Sequence, residues 1–315
     1  VKRIKGGRKA IRDQVLSKIA SGEYSFEQVS CPCCGSDVHG VVSNFDRDFL
    51  PVQIVLCRDC GMMYQRRRLD QKSLSGFYSH EYRDLYNPGF RGNSEVYRQN
   101  IEIARADYET IMGMLGGTPR FVCEVGMHFG ALLSQFVGKE CRVAGTDYDA
   151  AGIRFAREEL GLSDVFVGPS TELLKLGDKP DLLMYMHVLE HINDLDGEFE
   201  IMREILPDGG HLFLSVPGVL SWPARQENDI LHTLQLAHSH YFSLPHLVHV
   251  AARHGFRFLQ GDSEVRALFV KTPEADISDP VPNEYEIVYK ELKRMDRLWA
   301  REKTFRKLKQ IFGIK

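Results

Sequence analysis

No apolar run in this 315-residue chain approaches the roughly 18–20 residues that a membrane-spanning helix needs. No secretory h-region stands at the N-terminus. Internal repeats and low-complexity tracts are also missing, which sets aside solenoids and disordered linkers. The chain has no basic excess: its net charge is -3, so it lacks the field expected of a nucleic-acid binder. Cysteines are few, at seven, and four of them fall in two C-x-x-C pairs. That usage suits a reducing compartment and a metal site better than a disulfide framework. A cytoplasmic protein is therefore expected. The charge that is present is uneven. Residues 285–315 hold ten Lys/Arg against four Asp/Glu, a net of +6, and the remainder is about -9.

The chain divides by pattern. Residues 1–27 read as an N-terminal helix, 28–69 as a cysteine-bearing module and 70–118 as a helical connector. Residues 119–272 form an alternating strand–helix domain, and 273–315 a proline-bearing linker with a terminal amphipathic helix. Expected strands are Phe121–Val125, Arg142–Thr146, Val165–Val167, Asp181–Met186, His211–Val216, Phe256–Leu259 and Val265–Val270. Helices are expected between the first five, including Ala150–Leu160 and Glu198–Leu206. This alternation predicts a mostly parallel sheet covered on both faces, closed by an antiparallel hairpin. In the connector, apolar residues recur at helical spacing from Ser94 to Leu115, and Gly116-Gly117-Thr118-Pro119 ends the run.

Cys31-Pro-Cys33-Cys34-Gly35 and Cys57-Arg-Asp-Cys60-Gly61 are two knuckles, 22 residues apart. Each presents two thiolates, and the trailing glycine permits the tight turn. Cys31, Cys34, Cys57 and Cys60 together complete a closed, structural zinc site of four cysteines, with Cys33 left as a spare thiol. The gap leaves room for a hairpin. The Arg66-Arg67-Arg68 run keeps nucleic acid in view for such a module, although three charges more often mark a solvated edge.

A glycine is missing where a dinucleotide site would need one. Phe121-Val-Cys-Glu124-Val-Gly126-Met-His128-Phe-Gly130 reads as a strand, a glycine turn and a helix start, with Asp147 following 21 residues after Gly126. A dinucleotide fingerprint, G-x-G-x-x-G, brings helix N–H groups to a pyrophosphate. Here His128 holds the middle position. S-adenosylmethionine (SAM) has no phosphate, and its positive charge favours a carboxylate such as Glu124. Asp147 would accept hydrogen bonds from the ribose.

Four blocks in order now resemble class I SAM-dependent methyltransferases: Phe121–Gly130, Val143–Asp147, Asp181–His191 with its His187-Val-Leu-Glu190-His191 segment, and Leu206–Pro217. The resemblance implies an α/β, Rossmann-like, mostly parallel seven-stranded sheet with helices on both faces. The small N-terminal four-cysteine zinc ribbon and a C-terminal helix are added to it. It implies cofactor contacts from Glu124, Gly126, Gly130, Asp147, Ser170 and His187. The cysteine module, continuing into Leu74-Ser-Gly-Phe77-Tyr78-Ser-His-Glu81-Tyr82, resembles that of sugar-modifying methyltransferases. The acceptor implied is a hydroxyl of a sugar, surface polysaccharide or related natural product. C-methylation of a nucleotide-bound deoxysugar and, further off, RNA methylation stay open.

A sugar hydroxyl is poorly ionised at neutral pH, so a general base is expected. Nine of the twelve histidines lie between His187 and His254. His191 and His240 are the first candidates for the base, then His238, with Tyr241 as a binder of the acceptor and Tyr185 and Trp222 as an apolar wall. A metal site from Glu190, His191 and His238 has no compact ligand spacing behind it. In the terminal helix Val288, Leu292, Met295, Trp299, Phe305, Leu308 and Phe312 recur at helical spacing among Lys and Arg. Docking on this protein or on a second copy is one reading, and contact with an anionic membrane surface is the other.

Overall fold

The computed structural model describes residues 7–86, 94–221, 229–274 and 280–312, so Trp222 lies outside the described residues. The main sheet is built from β5 (Phe121–Val125), β6 (Arg142–Asp147), β7 (Asp164–Val167), β8 (Leu182–Met186), β9 (His211–Ser215), β11 (Phe256–Gly261) and β12 (Arg266–Lys271). Their spatial order is β11-β12-β9-β8-β5-β6-β7. The first five pair parallel, whereas β12 runs antiparallel to both β9 and β11. β5 is buried along its whole length, and β8 and β9 nearly so. Near-continuous apolar strands are what a sheet covered on both faces demands. β5 sits at the centre, with β6 on one side and β8 on the other. Chain order reverses there, and in open α/β sheets the crevice that takes a ligand lies outside the carboxyl ends of the strands at such a point.

The helices depart from expectation in three places. α5 (Ala150–Leu160) is capped by Asp149 and ended by Gly161 in the left-handed conformation. α6 (Leu195–Ile205) starts earlier than expected because Asp194 caps it by accepting from Gly197 N–H. The expected helix after Gly130 does not form; only the 3-10 turn Leu133–Gln135 is present. Gly138 and Glu140, both with positive φ, leave little length for one. The segment after β7 is likewise a 3-10 turn, Ser170–Leu176, confined between Pro169 and Gly177. The long connector helix α4 (Ser94–Leu115) covers the vacated face. Its Ala104 and Ile111 are buried in one cluster with Leu133, Phe136, Val122 and Met184.

A second sheet holds β1 (Phe26–Gln28), β2 (His39–Phe45), β3 (Pro51–Cys57) and β4 (Met63–Leu69), with β2 and β3 forming the hairpin between the knuckles. Arg66 and Arg68 bond Gln28 and Glu27 on β1, and Arg67 stacks on Phe26, so the arginine run is tied to its own sheet. β10 (His240–Tyr241) pairs antiparallel with β4. The cysteine module is thereby joined to the segment that follows β9. Cys31, Cys57, Cys60 and Tyr64 share one core with Phe121, Tyr185 and Phe242. α7 (Leu244–Arg253) adds polar ties. Buried His246 donates its Nε2–H to the Cys60 carbonyl at 3.0 Å, and Arg253 donates to the Cys33 carbonyl at 2.9 Å.

The connector also supplies α2 (Gln71–His80) and α3 (Tyr82–Tyr86), and α1 (Gly7–Ala20) packs against α3. The start of α8 (Tyr285–Phe312) docks on the same body: Val288 and Met295 are buried, and Leu292 packs on the cluster that contains Leu56 and Met63. Just before it, Glu284 N–H donates to the Cys60 carbonyl at 2.9 Å. Gly61 makes that approach feasible, because at φ +84° a Cβ would stand 2.3 Å from Tyr285 N. Gly61→Ala is therefore expected to lift the start of α8 and to cost at least about 1–3 kcal/mol. Urea unfolding measures this; an unchanged midpoint would contradict the docking.

Candidate functional site

The glycine turn after β5 is bonded to the end of β6. Gly126 N–H and Met127 N–H both donate to the Thr146 carbonyl, at 2.8 and 3.1 Å. Asp147 accepts from His128 N–H at 2.8 Å and from Asp149 N–H at 2.7 Å. Asp147 is thus an anchor for the turn, while each oxygen keeps a further lone pair for a ligand. The glycines are needed for packing. A Cβ at Gly126 would meet Val188 Cγ2 at 2.3 Å, and one at Gly130 would meet Leu162 Cδ1 at 2.7 Å. His128 adopts φ +54°, the left-handed conformation a glycine would take there, at a cost of about 1–2 kcal/mol. The backbone path of the turn is therefore kept despite the substituted glycine. Burial holds the His128 pKa down to about 4.

Glu124 is only 4% exposed. Among the described residues, its Oε2 and the Thr146 Oγ1 beside it on β6 have no hydrogen-bond partner. Burial, reinforced by the charges of Asp147 and Asp107, pushes the Glu124 carboxyl up to about 8. Ser170 is buried and does not act as the cap of its turn.

On the β8 side, His187 stands at the rim with a 60% exposed side chain and φ +56°. Glu190 Oε1 lies 3.8 Å from His187 Nδ1 and 3.8 Å from His191 Nε2. Glu190 is 2% exposed; burial lifts its carboxyl to about 8, and its Oε2 has no partner among the described residues. His191 donates Nδ1–H to the Ala237 carbonyl at 3.0 Å, which leaves the Nε2 lone pair towards Glu190. His238 packs its ring 4.6 Å from that of His191. One ligand atom from each of Glu190, His191 and His238 lies within 4.8 Å of the others. Burial lowers both histidine pKa values, His191 to about 4, so both rings are neutral near pH 7.

The other sequence candidates are placed differently. His240 donates Nε2–H to the Ile192 carbonyl at 2.9 Å from within β10, and burial takes its pKa to about 3. Tyr241 is buried beside it. Tyr185, expected at an apolar wall, is instead a core residue whose hydroxyl donates to Glu198. Aromatic cover comes from residues that sequence reasoning passed over as site residues. Tyr78 and Tyr82 each set an edge against His191 at 5.7 Å. Their four-residue spacing with Tyr86, around the α2–α3 junction, was the available signal. Arg83 on α3 pairs with Asp149, so the connector is bound to the crevice by charge as well.

In the cysteine module, Cys31 and Cys60 Sγ are 3.5 Å apart, as are Cys34 and Cys57 Sγ. All four sulfurs lie within 4.8 Å of one another. These separations are far longer than a disulfide and close to the ~3.8 Å edge of a tetrahedron with zinc–sulfur bonds of ~2.3 Å. The donor set therefore fits zinc.

A family model described as a methyltransferase domain matches residues 101–260. No match was found among curated proteins. Similar solved structures include the N-methyltransferase NodS from Bradyrhizobium japonicum WM9 with S-adenosyl-L-homocysteine, at 17% identity and TM-score 0.40, covering 64% of this chain and 98% of that one. The 1,6-didemethyltoxoflavin-N1-methyltransferase of Burkholderia thailandensis matches at 15% identity and TM-score 0.44, covering 63% and 87%. Coclaurine N-methyltransferase matches at 19% identity and TM-score 0.33, and the chain spans only 36% of that protein's length, with 36% of its own covered.

Proposed function

This chain belongs to the methyltransferase-domain family and is a SAM-dependent methyltransferase, and we propose that its acceptor is a hydroxyl of a sugar, surface polysaccharide or related natural product. SAM supplies an electrophilic methyl group. The observation that carries the hydroxyl reading is the convergence of Glu190, His191 and His238 in the crevice. A hydroxyl must lose its proton to become a competent nucleophile, and neutral imidazoles can take it. His191 is the best placed: the Ala237 carbonyl fixes its tautomer and leaves a lone pair towards the crevice. The cysteine module's resemblance to those of sugar-modifying methyltransferases supports the choice of sugar. His191→Ala is expected to lower kcat by ~10²–10⁴-fold with SAM affinity nearly intact. Turnover of a panel of sugars and glycans measures it, and an unchanged rate on the true acceptor would contradict the role. A methyl group on carbon in the product would replace O-methylation by C-methylation.

The turn between β5 and β6 would hold the cofactor, with Glu124, Gly126, Gly130 and Asp147 around it and Ser170 and His187 at either side. Glu124 fits because a buried carboxyl with an unpartnered oxygen suits a positive ligand. With its pKa raised to about 8, it is mostly protonated near pH 7 when empty. A positive ligand favours the ionised form, so SAM binding should release a proton at pH 7 and tighten as pH rises towards 8. Calorimetry in buffers of different ionisation enthalpy tests this. Glu124→Gln should abolish the proton release, and retention of it in that variant would contradict the assignment.

Zinc held by Cys31, Cys34, Cys57 and Cys60 would be structural, since four thiolates leave no open position. Metal analysis should find zinc in the cysteine module. Cys57→Ser/Cys60→Ser should lose that zinc together with thermal stability, because these residues sit in the shared core. Full retention of zinc in that variant would contradict the site.

A further inference from the structure

We propose that Glu190, His191 and His238 bind one divalent cation, a second metal site separate from the four cysteines. The cation would act on the acceptor hydroxyl. The inference rests on the hydroxyl-methylation reading and specifies how the histidine assistance is delivered.

The geometry points to a ligand set. One oxygen and two ring nitrogens lie within 4.8 Å of one another. The 3.8 Å between Glu190 Oε1 and His191 Nε2 exceeds a hydrogen bond. Ligands on one side of an ion lie ~3.0–3.4 Å apart when each bond is ~2.1 Å, so the group has to close by roughly half an ångström or more to hold one. The second observation is orphaned polarity. Glu190 is 2% exposed and His238 6%, and among the described residues Glu190 Oε2 and His238 Nδ1 have no hydrogen-bond partner. A buried carboxyl group and imidazole left with unpartnered polar atoms are costly, and a cation between them would satisfy both. The third observation concerns tautomer. A metal-bound histidine usually donates its other N–H to a carbonyl or carboxylate, and His191 Nδ1–H donates to the Ala237 carbonyl. The nearby guanidinium of Arg47 opposes a cation in principle, but it stacks on Tyr86 and donates to the His232 carbonyl.

Two imidazoles and a carboxylate on one side of an ion leave other coordination positions open. His187 is exposed beside Glu190, so an acceptor would enter past it, and Tyr78 and Tyr82 set their edges against His191. A hydroxyl oxygen coordinated there has its pKa lowered. Its O–H bond breaks, the electron pair stays on the oxygen beside the cation, and the proton passes to solvent water.

The test uses the full chain with its cysteine-module zinc retained, titrated with Mn²⁺ and followed by electron paramagnetic resonance. One Mn²⁺ per chain is expected to bind. Glu190→Gln and His238→Ala should each weaken it by at least roughly 100-fold, while SAM binding by calorimetry stays near the parent value. The parent measurement stands even if a variant fails to fold. Absence of Mn²⁺ and Co²⁺ binding at millimolar concentration in the parent protein overturns the proposal. Full methylation activity after a chelator has removed every metal except the cysteine-bound zinc also overturns it, and leaves the hydroxyl reading with His191 as a bare base. Metal binding with no sugar or glycan methylated supports the cation site and contradicts the sugar reading instead.

Discussion

The two carboxyl groups buried at the reversal point of the sheet constrain everything around them. Glu124 lies near the end of β5, and Glu190 follows β8, the strand hydrogen-bonded to it. Both are nearly sealed from solvent, and both keep an oxygen without a partner among the described residues. Desolvation lifts both pKa values to about 8. A protein that hides two acids in this way stores an electrostatic deficit that a positive guest can relieve. Glu124 faces the glycine turn, which suits a cationic cofactor. Glu190 faces two neutral imidazoles, which suit a metal ion. The carboxyl ends of β5 and β8 would thus offer two positions for positive charge.

The remaining architecture packs around these two acids. α2 and α3 lay Tyr78 and Tyr82 over His191, and Arg83 ties α3 to Asp149 beside the turn. The cysteine module holds these helices in place through β4, which leads into α2 and also pairs with β10. β10 in turn fixes the chain between His238 and Phe242. Zinc in the knuckles would therefore support catalysis at a distance, by stiffening the sheet from which the cover and His238 both depart.

Much of this was legible in the sequence, for physical reasons. Continuous apolar runs gave the strands of the main sheet within a residue or two, because strands buried on both faces carry strong patterns. Ser94–Leu115 matched to the residue, since the connector helix carries a clear apolar face and the Gly-Gly-Thr-Pro stretch follows its last residue. The missing helix after Gly130 was not legible: Gly138 does not forbid a helix until φ +77° is known, and α4 covers the face instead. His128 stands where a dinucleotide fingerprint has its middle glycine, yet its backbone takes the glycine conformation. The cysteine ligands were readable because their spacing is local. Glu190, His191 and His238 could be put together from the sequence only without any ligand spacing to support them, because 46 residues separate His191 from the Ala237 carbonyl that orients it. Only the return of the chain through β10 brings His238 back to the crevice.

The central claim is that both buried acids are protonated when empty and ionise when their guests arrive. Infrared difference spectroscopy at pH 7 observes this directly, because a protonated carboxyl has its own carbonyl band. Adding SAM should remove one such band, and adding Mn²⁺ a second, with Glu124→Gln and Glu190→Gln each eliminating its own change. If neither guest alters the carboxyl bands of the parent protein, the two acids do not serve as receptors for positive charge and the account fails.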